Sequence, residues 1–168
     1  FSPEFAQVTA QVLAANGINV HLFDSLRPVP VLSFTVRHLG CAGGVVITAS
    51  HNPKEYNGYK VYGPDGGQIT ENAANAVVDE INTIDDYFGV KLAGDDDPHI
   101  HIIPQEVDDA YAAAVESVVR ANPGSDLKII YTPLHGAGNI PVRRVLKDLG
   151  YEHVAIVKEQ ELPDGDTS

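Results

Sequence analysis

Ser50 is the residue of this sequence best placed to do chemistry. It stands in the run Gly44-Val45-Val46-Ile47-Thr48-Ala49-Ser50-His51-Asn52-Pro53, where a short apolar stretch delivers one hydroxyl into polar, turn-forming residues. An imidazole, His51, is its neighbour, and Asn57-Gly58-Tyr59-Lys60 follows closely with an amide and a cation. Taken singly, Ser50 reads as a cap or turn residue, and His51, Asn57 and Lys60 as loop or surface residues. Only their joint spacing makes a site of them. A serine hydrolase is one candidate, but adjacent Ser50 and His51 do not readily form a nucleophile–base bond. Thr48 and Asn52 also stand where Gly-x-Ser-x-Gly needs glycines.

The element that positions Ser50 is a strand. Val45, Val46 and Ile47 are consecutive β-branched residues without polar alternation, which predicts a strand buried on both faces of a mostly parallel sheet. In open α/β sheets ligands gather beyond the carboxyl ends of strands, and Ser50 lies just past this one. Asn52-Pro53 then breaks regular structure, because the residue before proline is pushed out of the helical region.

The full string, Thr48 to Pro53 followed by Asn57-Gly58-Tyr59-Lys60, resembles the active-site serine loop of the α-D-phosphohexomutase superfamily, the phosphoglucomutases and phosphomannomutases. The resemblance implies that Ser50 is a phosphoserine that gives its phosphate to one hydroxyl of a sugar phosphate. It then takes back the phosphate from the other end of the bisphosphate intermediate. It further implies that the Ser50 phosphate is a ligand of a catalytic divalent metal, normally Mg2+, and it admits a glucose 1,6-bisphosphate-type activator. His51 and Lys60 would share the catalytic work, with Thr48, Asn52, Asn57 and Gly58 binding phosphate or substrate. An ordinary lysine holds its proton far above neutrality and a phosphate dianion strengthens that hold, so electrostatic stabilisation is the expected role of Lys60.

A second segment, Thr132-Pro133-Leu134-His135-Gly136-Ala137-Gly138, follows the strand-like run 127–131. It resembles the Thr-x-x-His-Gly-x-Gly opening of the second domain in the phosphoglucomutase and phosphopentomutase branch. Its glycines fit either an anion-binding nest or a tight strand-to-helix turn, and the tight turn is the reading preferred here.

The chain of 168 residues has 43% hydrophobic content and a formal net charge of −12. That balance argues against nucleic acid as partner, since backbone-phosphate binding needs a basic surface. No run approaches the ~20 apolar residues of a membrane span. The single Cys41 excludes an internal disulfide and points to a reducing, cytoplasmic setting. Phe1 is not an initiator, so the chain reads as an excised piece. The resemblance covers most of a first domain lacking its amino-terminal segment (1–105) and the truncated start of a second (106–168). The Asp-x-Asp-x-Asp-Arg metal loop, the sugar-recognition loop and the fourth domain lie outside it. The expected partners are a phosphosugar and the remaining domains, and the piece alone is expected to be inactive. A non-catalytic sugar-phosphate-binding or regulatory module is the alternative.

The fold expected around these motifs is α/β. It comprises a mixed, mostly parallel sheet flanked by helices, then a β-α-β unit opening a second domain. Ser2-Pro3-Glu4 reads as a capped helix start, with apolar Phe5, Val8, Val12 and Leu13 on one face and Gly17 at the end. A strand over 18–23 and a helix over 31–39 precede the serine run. After it, a strand at 59–62 turns at Pro64-Asp65-Gly66-Gly67 into Gln68-Ile69, and Thr70 caps a helix with stripe Ala74, Val77, Val78 and Ile81. His99 and His101 share a face of an extended segment, and solvent-facing histidines are expected there rather than a metal pair. A helix over 107–120 ends at Asn122-Pro123-Gly124. Strand 127–131, helix 140–149 and strand 153–157 follow, and the acidic stretch 159–168 shows no periodicity.

Overall fold

In the computed structural model, which describes residues 1–50, 52–53, 55–119 and 126–165, helices and strands alternate along most of the chain. Helix α1 is Ser2–Ala15, β1 is Val20–Leu22, α2 is Val29–His38, β2 is Gly44–Thr48 and β3 is Gly58–Tyr62. Then come α3, Glu71–Ile81; β4, Ile100–Ile102; α4, Gln105–Ser117; β5, Lys128–Tyr131; α5, Asn139–Asp148; and β6, His153–Ile156. Gly17, Gly40 and Gly150 follow α1, α2 and α5 at φ of 75°, 65° and 85°, the left-handed stop that glycine adopts without Cβ strain. The expected terminator Asn122-Pro123-Gly124 lies outside the described residues. The chain divides into two compact units, Phe1–Ser25 with Leu32–Ile103, and Leu26–Val31 with Pro104–Ser168.

In the first unit β1 runs parallel to β4, with His21 opposite His101, and β2 runs antiparallel to β3, from Gly44↔Tyr62 to Thr48↔Gly58. Alternation places Ile47 and Tyr59 on one face of the β2–β3 ladder and Gly44, Val46, Thr48 and Lys60 on the other. Helix α1 covers the first face, where Phe5, Val8 and Thr9 meet Ile47 and Tyr59 around a shallow notch of about 240 Å³. Helix α2 lies against the Gly44 end of the second face so closely that a Cβ on Gly44 would come within 2.7 Å of Val36 Cγ2. Ala10, Ala14, Val36, Tyr62 and Ile103 are buried, the alanines being small enough to bring α1 down onto the strands.

Strand β2 departs from expectation. It is half-buried along its whole length, and among the described residues its ladder partner is the antiparallel β3. A run of β-branched residues marks a strand without fixing the direction of its neighbour, and a two-stranded ladder leaves one edge uncovered.

The turn after β3 forms as its sequence requires. Gly66 has φ 75°, the Asp65 carboxylate accepts the Gly67 N–H at 2.9 Å, and Ser33 of α2 donates to the Gly66 carbonyl at 2.6 Å. Beyond it Gln68 bridges back to Tyr62. Helix α3 follows Thr70 but buries none of its residues, and Val77, Val78 and Ile81 remain 45% to 51% exposed. His99 bonds Asp97 at 2.8 Å, and the His21 and His101 rings face each other across the β1–β4 pair with centroids 5.6 Å apart.

In the second unit β5 and β6 are parallel and joined through α5, the expected β-α-β crossover. Helix α4 packs on α5 and buries Val107 and Ala112. Arg27 grips Asp108 of α4 with both carboxylate oxygens engaged, Nε donating to Oδ1 at 3.0 Å and to Oδ2 at 3.2 Å and Nη2 to Oδ2 at 2.8 Å. Asp109 pairs with Arg144 of α5, which holds its carboxyl below the usual carboxylate range.

Candidate active site

The β2–β3 ladder ends at the rung Thr48↔Gly58, and the serine loop springs from that end. Ser50 takes φ 58°, the left-handed region that costs a non-glycine residue about 1–2 kcal/mol. Its N–H donates to Thr48 Oγ1 at 2.9 Å, and the Asn52 N–H donates to the Ala49 carbonyl at 2.9 Å. The loop is thus closed by two short local bonds, and Ser50 is exposed on its crown. Backbone strain is thus concentrated just past a strand end, on a residue that bears a hydroxyl.

Lys60 sits on the same face of the ladder as Thr48 and Gly58, two residues back from the terminal rung, which is about 7 Å along the strand. The residue is half-buried, and a lysine side chain is long enough to span about that distance. Gly58 completes the rung, where a Cβ would stand 3.1 Å from the Thr48 carbonyl oxygen. Asn57 is held from outside the loop, since Ser2 Oγ donates to its Oδ1 at 3.0 Å. That bond corrects the expected role of Ser2. Phe1 occupies the cap position, no side chain caps α1, and the Ser2 hydroxyl tethers the helix to the residue just before β3.

Thr48, Ser50, Asn52, Asn57, Gly58 and Lys60 therefore fall on one strand-loop-strand connection. His51 lies outside the described residues. The α1 notch is lined by Asn57 and Gly58 too, but on the Ile47 and Tyr59 face and without a cation, so it is an apolar recess rather than a seat for phosphate.

The loop 132–138 at the carboxyl end of β5 is built alike. Thr132 Oγ1 accepts the Leu134 N–H at 3.1 Å, and Leu134 and His135 take φ of 48° and 60°. The N–H groups of His135 and Gly136 go to the carbonyls of Gln160 and Pro133, both at 2.9 Å. All three donors that an anion nest would aim at a ligand are spent inside the protein, which favours the tight turn. The acidic stretch after β6 secures it: Thr132 donates to Gln160 Oε1 at 2.7 Å, His135 Nδ1 meets the Leu162 carbonyl at 2.9 Å, and Asn139 Nδ2 donates to the Glu161 carbonyl at 2.9 Å. Nothing in the periodicity of 158–162 announces this strap.

Among the described residues no group of three or more His, Cys, Asp or Glu side chains is placed to hold a metal, and no helix is long and apolar enough to cross a membrane. Mg2+ keeps much of its water and takes only a few protein or phosphate oxygens, and the exposed Ser50 hydroxyl is one position in this chain that could carry such an oxygen donor.

An α/β chain with a strained serine at a strand end, followed by a second β-α-β unit, matches two family descriptions. Phosphoglucomutase/phosphomannomutase, alpha/beta/alpha domain I, matches residues 1–88, and domain II of the same family matches residues 109–167. The chain belongs to the phosphoglucomutase/phosphomannomutase family. It is similar to a phosphoglucomutase of Staphylococcus epidermidis, 41% identical over 99% of this chain and 31% of that one. A Staphylococcus aureus phosphoglucomutase is 38% identical over 97% of this chain and 30% of its own length. A crystal structure described as a phosphomannomutase of Thermus thermophilus superposes with a TM-score of 0.76 at 28% identity, covering 97% of this chain and 35% of that one. The chain thus spans about a third of the length of the relatives it matches.

Proposed function

We propose that this chain supplies the phosphoserine domain (1–105) and the opening of the second domain (106–168) of a phosphosugar mutase acting on substrates such as glucose 1-phosphate. The observation that carries the reading is Ser50, held at positive φ on the crown of the loop between β2 and β3 with Lys60 on the adjoining strand. In the forward half-reaction the Ser50 Oγ–P bond breaks as a sugar hydroxyl oxygen bonds to phosphorus. The hydroxyl proton leaves that oxygen and Ser50 Oγ regains one. The bisphosphate turns, Ser50 Oγ attacks the other phosphorus, and the isomeric monophosphate departs with the phosphoserine restored. Lys60 offsets the charge gathering on the transferred group, and Thr48, Asn52, Asn57 and Gly58 shape the loop around it.

His51 joins Lys60 in this reading as the second catalytic residue. Mg2+ on the Ser50 phosphate would lower the charge barrier to transfer, with its other ligands drawn from outside this chain. The rest of the polypeptide is the natural partner, a sugar bisphosphate the natural activator, and the cytoplasm the setting. On its own the 168-residue piece has no turnover.

The test is Ser50→Ala in the full-length protein, assayed for interconversion of glucose 1-phosphate and glucose 6-phosphate, with mass spectrometry of the peptide holding Ser50. Loss of interconversion together with a phosphate on wild-type Ser50 supports the reading. Undiminished turnover in Ser50→Ala removes Ser50 from the chemistry, whereas sugar-phosphate binding without turnover in the wild type favours the binding-module alternative.

A further inference from the structure

We propose that Thr48 is a positioning residue whose hydroxyl fixes the direction in which Ser50 presents its own, an inference that rests on the phosphoserine reading and assigns Thr48 a part other than direct phosphate contact. The Ser50 N–H donates to Thr48 Oγ1 at 2.9 Å while Ser50 stands at φ 58°. The bond offsets what the left-handed conformation costs. Without the acceptor, Ser50 relaxes to negative φ, and rotation about N–Cα carries its Cβ and Oγ to the other side of the backbone.

Thr48 is itself well anchored. It closes β2 on the rung opposite Gly58, so its backbone is set by the ladder before the loop begins. The arrangement also recurs: Thr132, one residue past the end of β5, accepts the N–H of Leu134 at 3.1 Å, and Leu134 stands at φ 48°. Two loops of separate sequence use a strand-end threonine to hold the residue two positions on in the same conformation, which makes the device a feature of this chain and not an accident of one turn.

The test uses full-length protein carrying Thr48→Val, which keeps the shape and removes the acceptor, and Thr48→Ser, which keeps the acceptor and removes the methyl. Each is assayed for kcat and KM on glucose 1-phosphate, for thermal midpoint, and for labelling of Ser50 by ³²P-glucose 1,6-bisphosphate. The expected result is kcat reduced about 100-fold in Thr48→Val with KM within about threefold, and Thr48→Ser within about threefold of wild type throughout, since misplacing a reacting group by about 1 Å costs that much. If Thr48→Val does not fold, Thr48→Ala provides a second acceptor deletion of smaller volume. Wild-type kcat in the acceptor deletions overturns the proposal, and so does an equal loss in Thr48→Ser, which retains the acceptor. Absence of label on wild-type Ser50 overturns the phosphoserine reading and this inference with it, an outcome the label distinguishes from the other two.

Discussion

The hydroxyl oxygen of Thr48 accepts the backbone N–H of Ser50 at 2.9 Å, closing a three-residue loop around a serine in left-handed conformation. The sheet is regular up to Thr48 and strained immediately after it. That boundary is where the predicted chemistry sits.

Strain at Ser50 has a direct signature in stability. Ser50→Gly is expected to exceed Ser50→Ala by about 1 kcal/mol, because glycine escapes the left-handed penalty of about 1–2 kcal/mol but loses some of that to a freer unfolded chain. Urea unfolding of the two variants measures the difference. Equal stability would show that residue 50 does not hold φ near 58°.

Gly66 is constrained twice over. It has φ 75°, and a Cβ there would stand 2.5 Å from the Ser33 carbonyl oxygen, whereas Gly17 has the same φ with nothing within 4 Å. Gly66→Ala is therefore expected to cost at least about 2 kcal/mol and Gly17→Ala about 1 kcal/mol. The idea is sunk if thermal unfolding ranks the two variants the other way.

The Ser2–Asn57 bond predicts coupling between the ends of a long sequence separation. A cycle of Ser2→Ala, Asn57→Ala and the double variant is expected to return about 1 kcal/mol of interaction. A capping role for Ser2 predicts instead that its cost is the same with or without Asn57, which the cycle reads directly.

Asp109 gives a pH dependence with a definite sign. Its carboxyl is held below the usual range first by the hydrogen bond from Arg144 and then by that from Gln105. A depressed carboxylate contributes stability above its unfolded pKa of about 3.9, and that contribution is lost as pH falls through the lower folded value. Carbon-detected NMR titration is expected to show Asp109 moving back toward the ordinary value in Arg144→Gln. An unmoved titration would remove Arg144 as the cause.

Much of this was legible in the sequence because it rests on local chemistry. Gly17, Gly40 and Gly150 mark helix ends by backbone freedom alone, and Pro64-Asp65-Gly66-Gly67 specifies its turn through Asp65 and Gly66. The serine loop was visible as a string of residue types. What escaped depends on partners distant in sequence: Ser2 has the composition of a cap yet bonds Asn57, and Gln160 lies in an aperiodic stretch yet closes the loop at Thr132 and His135. The bond from Ser50 to Thr48 is local and could have been read, since a threonine two residues before a serine is an acceptor within reach of its N–H. The apolar stripe of α3 falls on a helix as its spacing predicts, but periodicity says which residues share a face and not whether anything covers it.

That uncovered stripe makes the isolated chain an amphiphile. Val77, Val78 and Ile81 line one side of a helix whose other residues are polar or small, and Phe88 beyond it is wholly exposed. A molecule so divided collects at boundaries between water and anything less polar, such as air bubbles, plastic walls and phenyl-bearing resins. Losses during concentration will therefore track interfacial area, not temperature.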